Sequence, residues 1–245
     1  TDREYRGTCL RYMAGIVVVQ FLWVLWSVSA GPVWLFPVLA AADLSVAPVA
    51  LRHRVTAFHH DHIAERYGLF TIIVLGESIL ATANSIIGGL SHTQARDGLI
   101  VVAACSLVIV AAMWWIYFDR HQRDQTMSLR RSFFWGYCHY FIFASAAAFS
   151  AGVEVAVAMM VGDSHLPHAV AGLTLTIPLA VFLLATWLVL DAVHRDPIQA
   201  VATPVLAAAM VAAALLTNPL LAAAAVMVLA AALVSWRHSR LPAAL

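Results

Sequence analysis

The chain has 245 residues, of which 62% are hydrophobic and 11% charged, and its mean hydropathy is +0.85. Soluble domains carry about twice that share of charged residues, so the composition is that of an integral membrane protein whose main partner is the lipid bilayer. A net charge of +1, with the charges scattered, leaves no basic face for nucleic acid and no acidic or low-complexity tail.

The chain opens T-D-R-E-Y-R, without the basic-then-apolar order of a signal peptide, and is expected to be a piece of a longer protein. From there, apolar runs bounded by charged or turn-forming residues fall at 11–30, 33–51, 67–88, 99–118, 133–160, 170–190, 200–216 and 219–236. A bilayer-spanning helix needs about 20 apolar residues, so these runs predict an all-α, polytopic bundle of about eight transmembrane helices. They form one membrane domain over residues 1–245. Gly31 and Pro32 break the chain between the first two runs, and Asn218 with Pro219 turns it between the last two. Pro178 falls inside the sixth run, where a proline removes a backbone hydrogen bond and bends a helix. The fourth run ends W-I-Y-F-D (Trp115 to Asp119) and the sixth W-L-V-L-D (Trp187 to Asp191), an echo that fits either a duplicated helix pair or a shared interface rule.

The 14 basic residues are all arginines, which fits a bacterial source. Cytoplasmic loops collect arginine and short exported loops do not. Threading eight spans puts every arginine on one side except Arg96, so both termini are expected in the cytoplasm of a multi-pass bacterial inner membrane protein. Trp114, Trp115, Trp135, Trp187 and Trp236 fall near the same boundary, where indole rings prefer to sit. Cys9, Cys105 and Cys138 are far apart and show no C-x-x-C spacing, which suggests neither a disulfide framework nor a zinc site.

Ionisable residues within the hydrocarbon are costly and tend to mark function. Glu77 lies ten residues past Tyr67, about 15 Å along a helix, close to the midplane. Asp43 has nearly the same depth on the second run, and Glu154 sits in the outer half of the fifth. A carboxyl able to gain and lose a proton there is what a proton-coupled carrier requires. The alternative is a protonated acid hydrogen-bonded to a neighbouring helix. At 100° per residue, Arg66, Phe70, Ile73, Glu77, Ala81, Asn84 and Gly88 share one stripe, which is expected to face the bundle or a water-filled cavity. His139 reads either as a relay member or as a hydrogen-bonded core histidine. Near the surface, His59, His60, Asp61, His62 and Glu65 are concentrated in F-H-H-D-H-I-A-E-R. Their i, i+3 spacings offer two ligands at most, which does not make a metal site, and a polar cluster of His62, Glu65 and Arg66 with groups from other helices is expected instead. No nucleophile elbow, phosphate loop or dinucleotide fingerprint is present, so no catalytic residue, metal or cofactor is assigned.

The segment H-D-H-I-A-E-R-Y-G-L-F-T-I-I-V-L-G-E-S-I-L, His60 to Leu80, resembles the bacterial low temperature requirement protein A family. That family's hallmark is a His, two residues, Glu-Arg, an aromatic, Gly, and an apolar run ending Gly-Glu-Ser. His62, Glu65, Arg66, Tyr67, Gly68, Phe70, Gly76, Glu77 and Ser78 match it. A second stretch, His139 followed by Gly152, Val153 and Glu154, is similar to the family's later helix. Members usually carry a further N-terminal helix with an acidic, Phe-rich pattern, for which this chain has no counterpart, so the resemblance implies an N-terminally incomplete member. It also implies an integral membrane protein, in a family named for growth in the cold rather than for a reaction. Together these features suggest a proton-linked transporter of a small solute or ion, with Glu77, Asp43, Asn84, Glu154 and His139 along the path. The alternatives are a sensor or scaffold without transport, or a membrane-embedded lipid-modifying enzyme. Nothing in the sequence fixes an oligomeric state.

Overall fold

A computed structural model describes residues 2–52, 60–90, 96–119, 129–191 and 197–239. The described residues form eight helices and no strand: α1 (Asp2–Val28), α2 (Leu35–Ala50), α3 (His60–Gly89), α4 (Arg96–Phe118), α5 (Leu129–Val161), α6 (His168–Thr186), α7 (Pro197–Ala212) and α8 (Pro219–His238). Seven are long and apolar enough to cross a membrane. The exception is α2, whose 16 residues span about 24 Å. Each helix coincides with one predicted run, but α1, α3 and α5 start 9, 7 and 4 residues earlier than their runs. An apolar run marks the hydrocarbon, whereas a helix satisfies its own backbone and continues beyond it into polar sequence.

The ends of the helices follow local chemistry. After α1, Ala30 adopts φ 47° and Gly31 N–H donates to the Trp26 carbonyl at 2.9 Å. After α5, Gly162 adopts φ +86° and Asp163 N–H donates to Ala158 at 2.9 Å. Both are left-handed terminations with a six-residue closing bond. The first places its left-handed residue at Ala30, one position before the predicted breaker. At the start of α8, Leu221 N–H donates to the Asn218 side chain at 3.2 Å, and Pro219 occupies the first turn, where its missing N–H costs nothing. The echo between the fourth and sixth runs does not extend to the backbone: Trp115 to Phe118 stay α-helical, whereas Trp187–Asp191 form a π-helical turn.

The chain divides into two compact units. The first comprises Thr1–His60 with Ser128–Phe133. In it α1 and α2 run antiparallel, and a Cβ added at Gly15 would lie 2.8 Å from Val46 Cγ1. At the other end Trp23, Trp26 and Phe36 form an edge-to-face cluster with centroids 5.2 to 6.0 Å apart, and Trp26 Nε1 donates to the Pro32 carbonyl at 3.0 Å.

The second unit comprises Asp61–Met127 and Phe134–Leu245. Its core follows a helical period along α4, where Leu99, Val102, Ile109, Met113 and Ile116 are buried. Ile142, Phe149 and Val153 of α5, Phe182 of α6, Met210 of α7 and Met227 of α8 belong to the same buried cluster. Trp115 Nε1 donates to Ser235 Oγ at 2.5 Å, joining α4 to α8. Trp114, Trp115 and Trp236 are exposed, whereas Trp135 is buried against other helices. Small residues let backbones meet. A Cβ at Gly152 would lie 2.6 Å from the Thr174 carbonyl oxygen, and one at Gly172 would lie 2.7 Å from that of Ala214. Thr174 is four residues before Pro178, whose missing N–H leaves that carbonyl without its helical donor. The approach of Gly152 occupies the space beside it.

Candidate functional site

In the second unit α3 and α5 lie side by side and run parallel. Tyr67 packs on Trp135 and His139, with centroids 4.8 and 4.7 Å apart. Further along, Ser78 Oγ donates to the Ala146 carbonyl at 3.0 Å, and a Cβ at Gly89 would touch Val157 at 3.3 Å. This register puts Asn84 and Glu154 within two residues of the same level, about 3 Å along the axis, while Glu77 lies about 13 Å from the level of Glu154.

His139 is fully buried. Its Nδ1 lies 2.8 Å from the Trp135 carbonyl and its Nε2 lies 3.2 Å from the Tyr117 hydroxyl. A carbonyl only accepts, so Nδ1 carries the hydrogen. In the neutral imidazole Nε2 then accepts from Tyr117. Tyr67, Trp135, Phe143 and Tyr117 enclose the ring, and Phe70 packs on Phe143 at 4.7 Å. His139 is thus a buried histidine with both ring nitrogens hydrogen-bonded. It joins α5 to α4 through Tyr117, and the Tyr67 ring joins α3 to α5.

The stripe on α3 does not face the helix bundle, the first of its two expected surroundings. Arg66, Phe70, Ile73, Glu77, Asn84 and Gly88 are exposed, and Thr71, Leu75, Ser78 and Thr82 are the buried side. The cause is the economy of hydroxyls. Thr71 and Ser78 donate to the carbonyls of Tyr67 and Val74, four residues back, at 2.9 Å each. A hydroxyl can thus be satisfied within its own helix, while Ser78 also reaches the Ala146 carbonyl of α5, and the small size of these side chains admits the neighbouring helix. A carboxylate or an amide cannot satisfy itself in this way. Glu154 and Asp43 are exposed as well, Asp43 within the first unit.

Glu77, Asn84 and Glu154 nevertheless share a side. Measured from the buried face of each helix, Glu77 and Asn84 lie toward α5, and Glu154 lies toward α3. They border one outward-facing seam between α3 and α5. At the start of α3, His62 Nδ1 approaches Glu65 Oε2 at 3.6 Å, with both side chains mostly exposed. His59 lies outside the described residues, and Asp61 and His60 contribute no described side chain.

Tyr117, Trp135 and Thr71 were not singled out as site residues from the sequence. The i, i+4 spacing of Trp135 and His139 carried a signal for one of them. Tyr117 comes from α4 and had none. No curated protein and no solved structure matches the chain. The family model described as bacterial low temperature requirement A protein matches residues 1–235, over all eight helices and both motifs, and the chain belongs to that family.

Proposed function

We propose that this membrane protein is a proton-linked carrier of a small solute or ion, working in a bacterial cytoplasmic membrane with both termini inside. The observation that carries the reading is the seam between α3 and α5. There Glu77, Asn84 and Glu154 are exposed at depths where the surrounding surface, including Phe70, Ile73 and Tyr140, is apolar. Polar groups at such depth are costly unless they meet water, a substrate or another polar group. In this reading Glu77 is the titrating centre, Asn84 offers both a donor and an acceptor, and Glu154 continues the path toward the outer end. Asp43 is a separate candidate acid, on α2 of the first unit. His139 holds α3, α4 and α5 in register, and Glu65, Arg66 and His62 form the polar cluster at the inner end.

The test is Glu77→Gln in proteoliposomes under an imposed pH gradient. The variant keeps the shape and the neutral hydrogen bonds, so helicity should be unchanged while pH-dependent flux is lost. Full retention of that flux would overturn the carrier reading. A second reading, a sensor or scaffold, is favoured by the same exposure, because Asn and carboxyl groups on a lipid-facing side can join helices of separate chains. In that case Glu77→Gln changes chain association and no flux is measured for either form.

A further inference from the structure

We propose that the first unit binds an anionic phospholipid, with an acyl chain in a groove between α1 and α2 and the headgroup phosphate against arginines at one end of it. The groove has a volume of about 580 Å³, within the roughly 300–1,000 Å³ of ligand pockets. Its walls are Met13, Ile16 and Val17 of α1, Ala47 and Leu51 at the C-terminal end of α2, and Phe133. All belong to the same unit.

The polarity of the groove is graded. Its polar lining residues, Thr8, Cys9 and Tyr12, lie toward the N-terminal end of α1, and that end also carries the cations. Arg6 precedes Cys9 by three residues and Arg130 precedes Phe133 by three, so each shares a helix face with a groove residue one turn away. Arg52 directly follows Leu51. Arg6, Arg52 and Arg130 are exposed. Arg11 bends back along α1, so that a Cβ added at Gly7 would lie 3.6 Å from its Nη2. The result is a mostly apolar trough whose polar lining residues lie at the end nearest the arginines.

That sequence of surfaces matches a phospholipid read from tail to phosphate. The charge selects among lipids. A phosphate without a compensating ammonium gains from every arginine, while a zwitterionic headgroup brings a cation into the same cluster. Basic pockets between membrane helices on the cytoplasmic side recognise anionic headgroups in this way.

The experiment is native mass spectrometry of the detergent-solubilised full chain, titrated with phosphatidylglycerol or with phosphatidylcholine. Phosphatidylglycerol should be retained at lower concentration than phosphatidylcholine. Arg6→Ala and Arg130→Ala should each weaken it about fivefold and leave phosphatidylcholine unchanged. Ile16→Trp, at an exposed groove position, fills the trough and should abolish retention of both lipids while circular dichroism stays the same. Equal retention of the two lipids by the unaltered chain would overturn the proposal. So would unchanged phosphatidylglycerol retention in Arg6→Ala and Arg130→Ala, or retention that survives Ile16→Trp.

Discussion

The two units bring helices together by different means. In the second, α5 meets α6 and α6 meets the turn after α7 through backbone: the would-be Cβ atoms of Gly152 and Gly172 point at carbonyl oxygens and Cα atoms. In the first, α1 meets α2 through side chains, with Gly15 facing the Val46 methyls and three aromatic rings closing the far end. Lipid tails are as apolar as leucine, so membrane helices associate through close packing and hydrogen bonds rather than through exclusion of water. Backbone contact gives the most packing per residue and tolerates the least change. Side-chain contact is adjustable, and between α1 and α2 it leaves an open groove.

The sharpest way to break this comparison is to add one methyl group on each side of it. Gly152→Ala and Gly172→Ala should each destabilise the protein by about 2 kcal/mol or more, because the obstructing atoms are backbone and overpacking costs about 1–3 kcal/mol. Thermal unfolding in detergent would show the loss, and unchanged melting would mean that α5 and α6 are not in contact there. A smaller effect is expected from Tyr117→Phe. It removes the donor to His139 Nε2 in a site with no water access, and an unsatisfied buried acceptor costs about 1–2 kcal/mol. Thermal unfolding in detergent checks it, and an unchanged melting temperature would mean that the Tyr117 hydroxyl does not satisfy Nε2. The smallest effect belongs to the first unit. In Gly15→Ala the new methyl meets one side chain, Val46, which is stiff at χ1 and must shift with its helix, and the preference of the helix for alanine over glycine by about 1 kcal/mol offsets that cost. The melting temperature should stay within a degree or two, equivalent to about 0.5 kcal/mol. A loss as large as that of Gly152→Ala would erase the distinction between the units.

Helix number and order were legible because hydropathy reports the hydrocarbon directly, and Gly31-Pro32 and Asn218-Pro219 punctuate it. Facing was not legible in the same way. The stripe through Glu77 and Asn84 has a helical period, but period alone does not say which side is buried. Water normally decides that question for a soluble helix, and in lipid the apolar side gives no such signal. Thr71, Ser78 and Thr82 were the better guide, since small hydroxyl residues mark the side where another helix approaches. The motif residues Tyr67 and His139 were visible as a pattern, yet their meeting depends on the parallel register of α3 and α5, and no local feature of either segment encodes that register.

The contact between Gly152 and Thr174 has an evolutionary consequence. Pro178 leaves the Thr174 carbonyl without its helical donor, and Gly152, on another helix, is the residue small enough to lie against it. Replacing Pro178 by a residue with an N–H would return that carbonyl to the ladder of α6 and change the particular surface to which Gly152 is fitted. Positions 152 and 178 are thereby bound to one another across two helices. In related chains they should change together, with a larger residue at the first tolerated where the proline at the second has been lost.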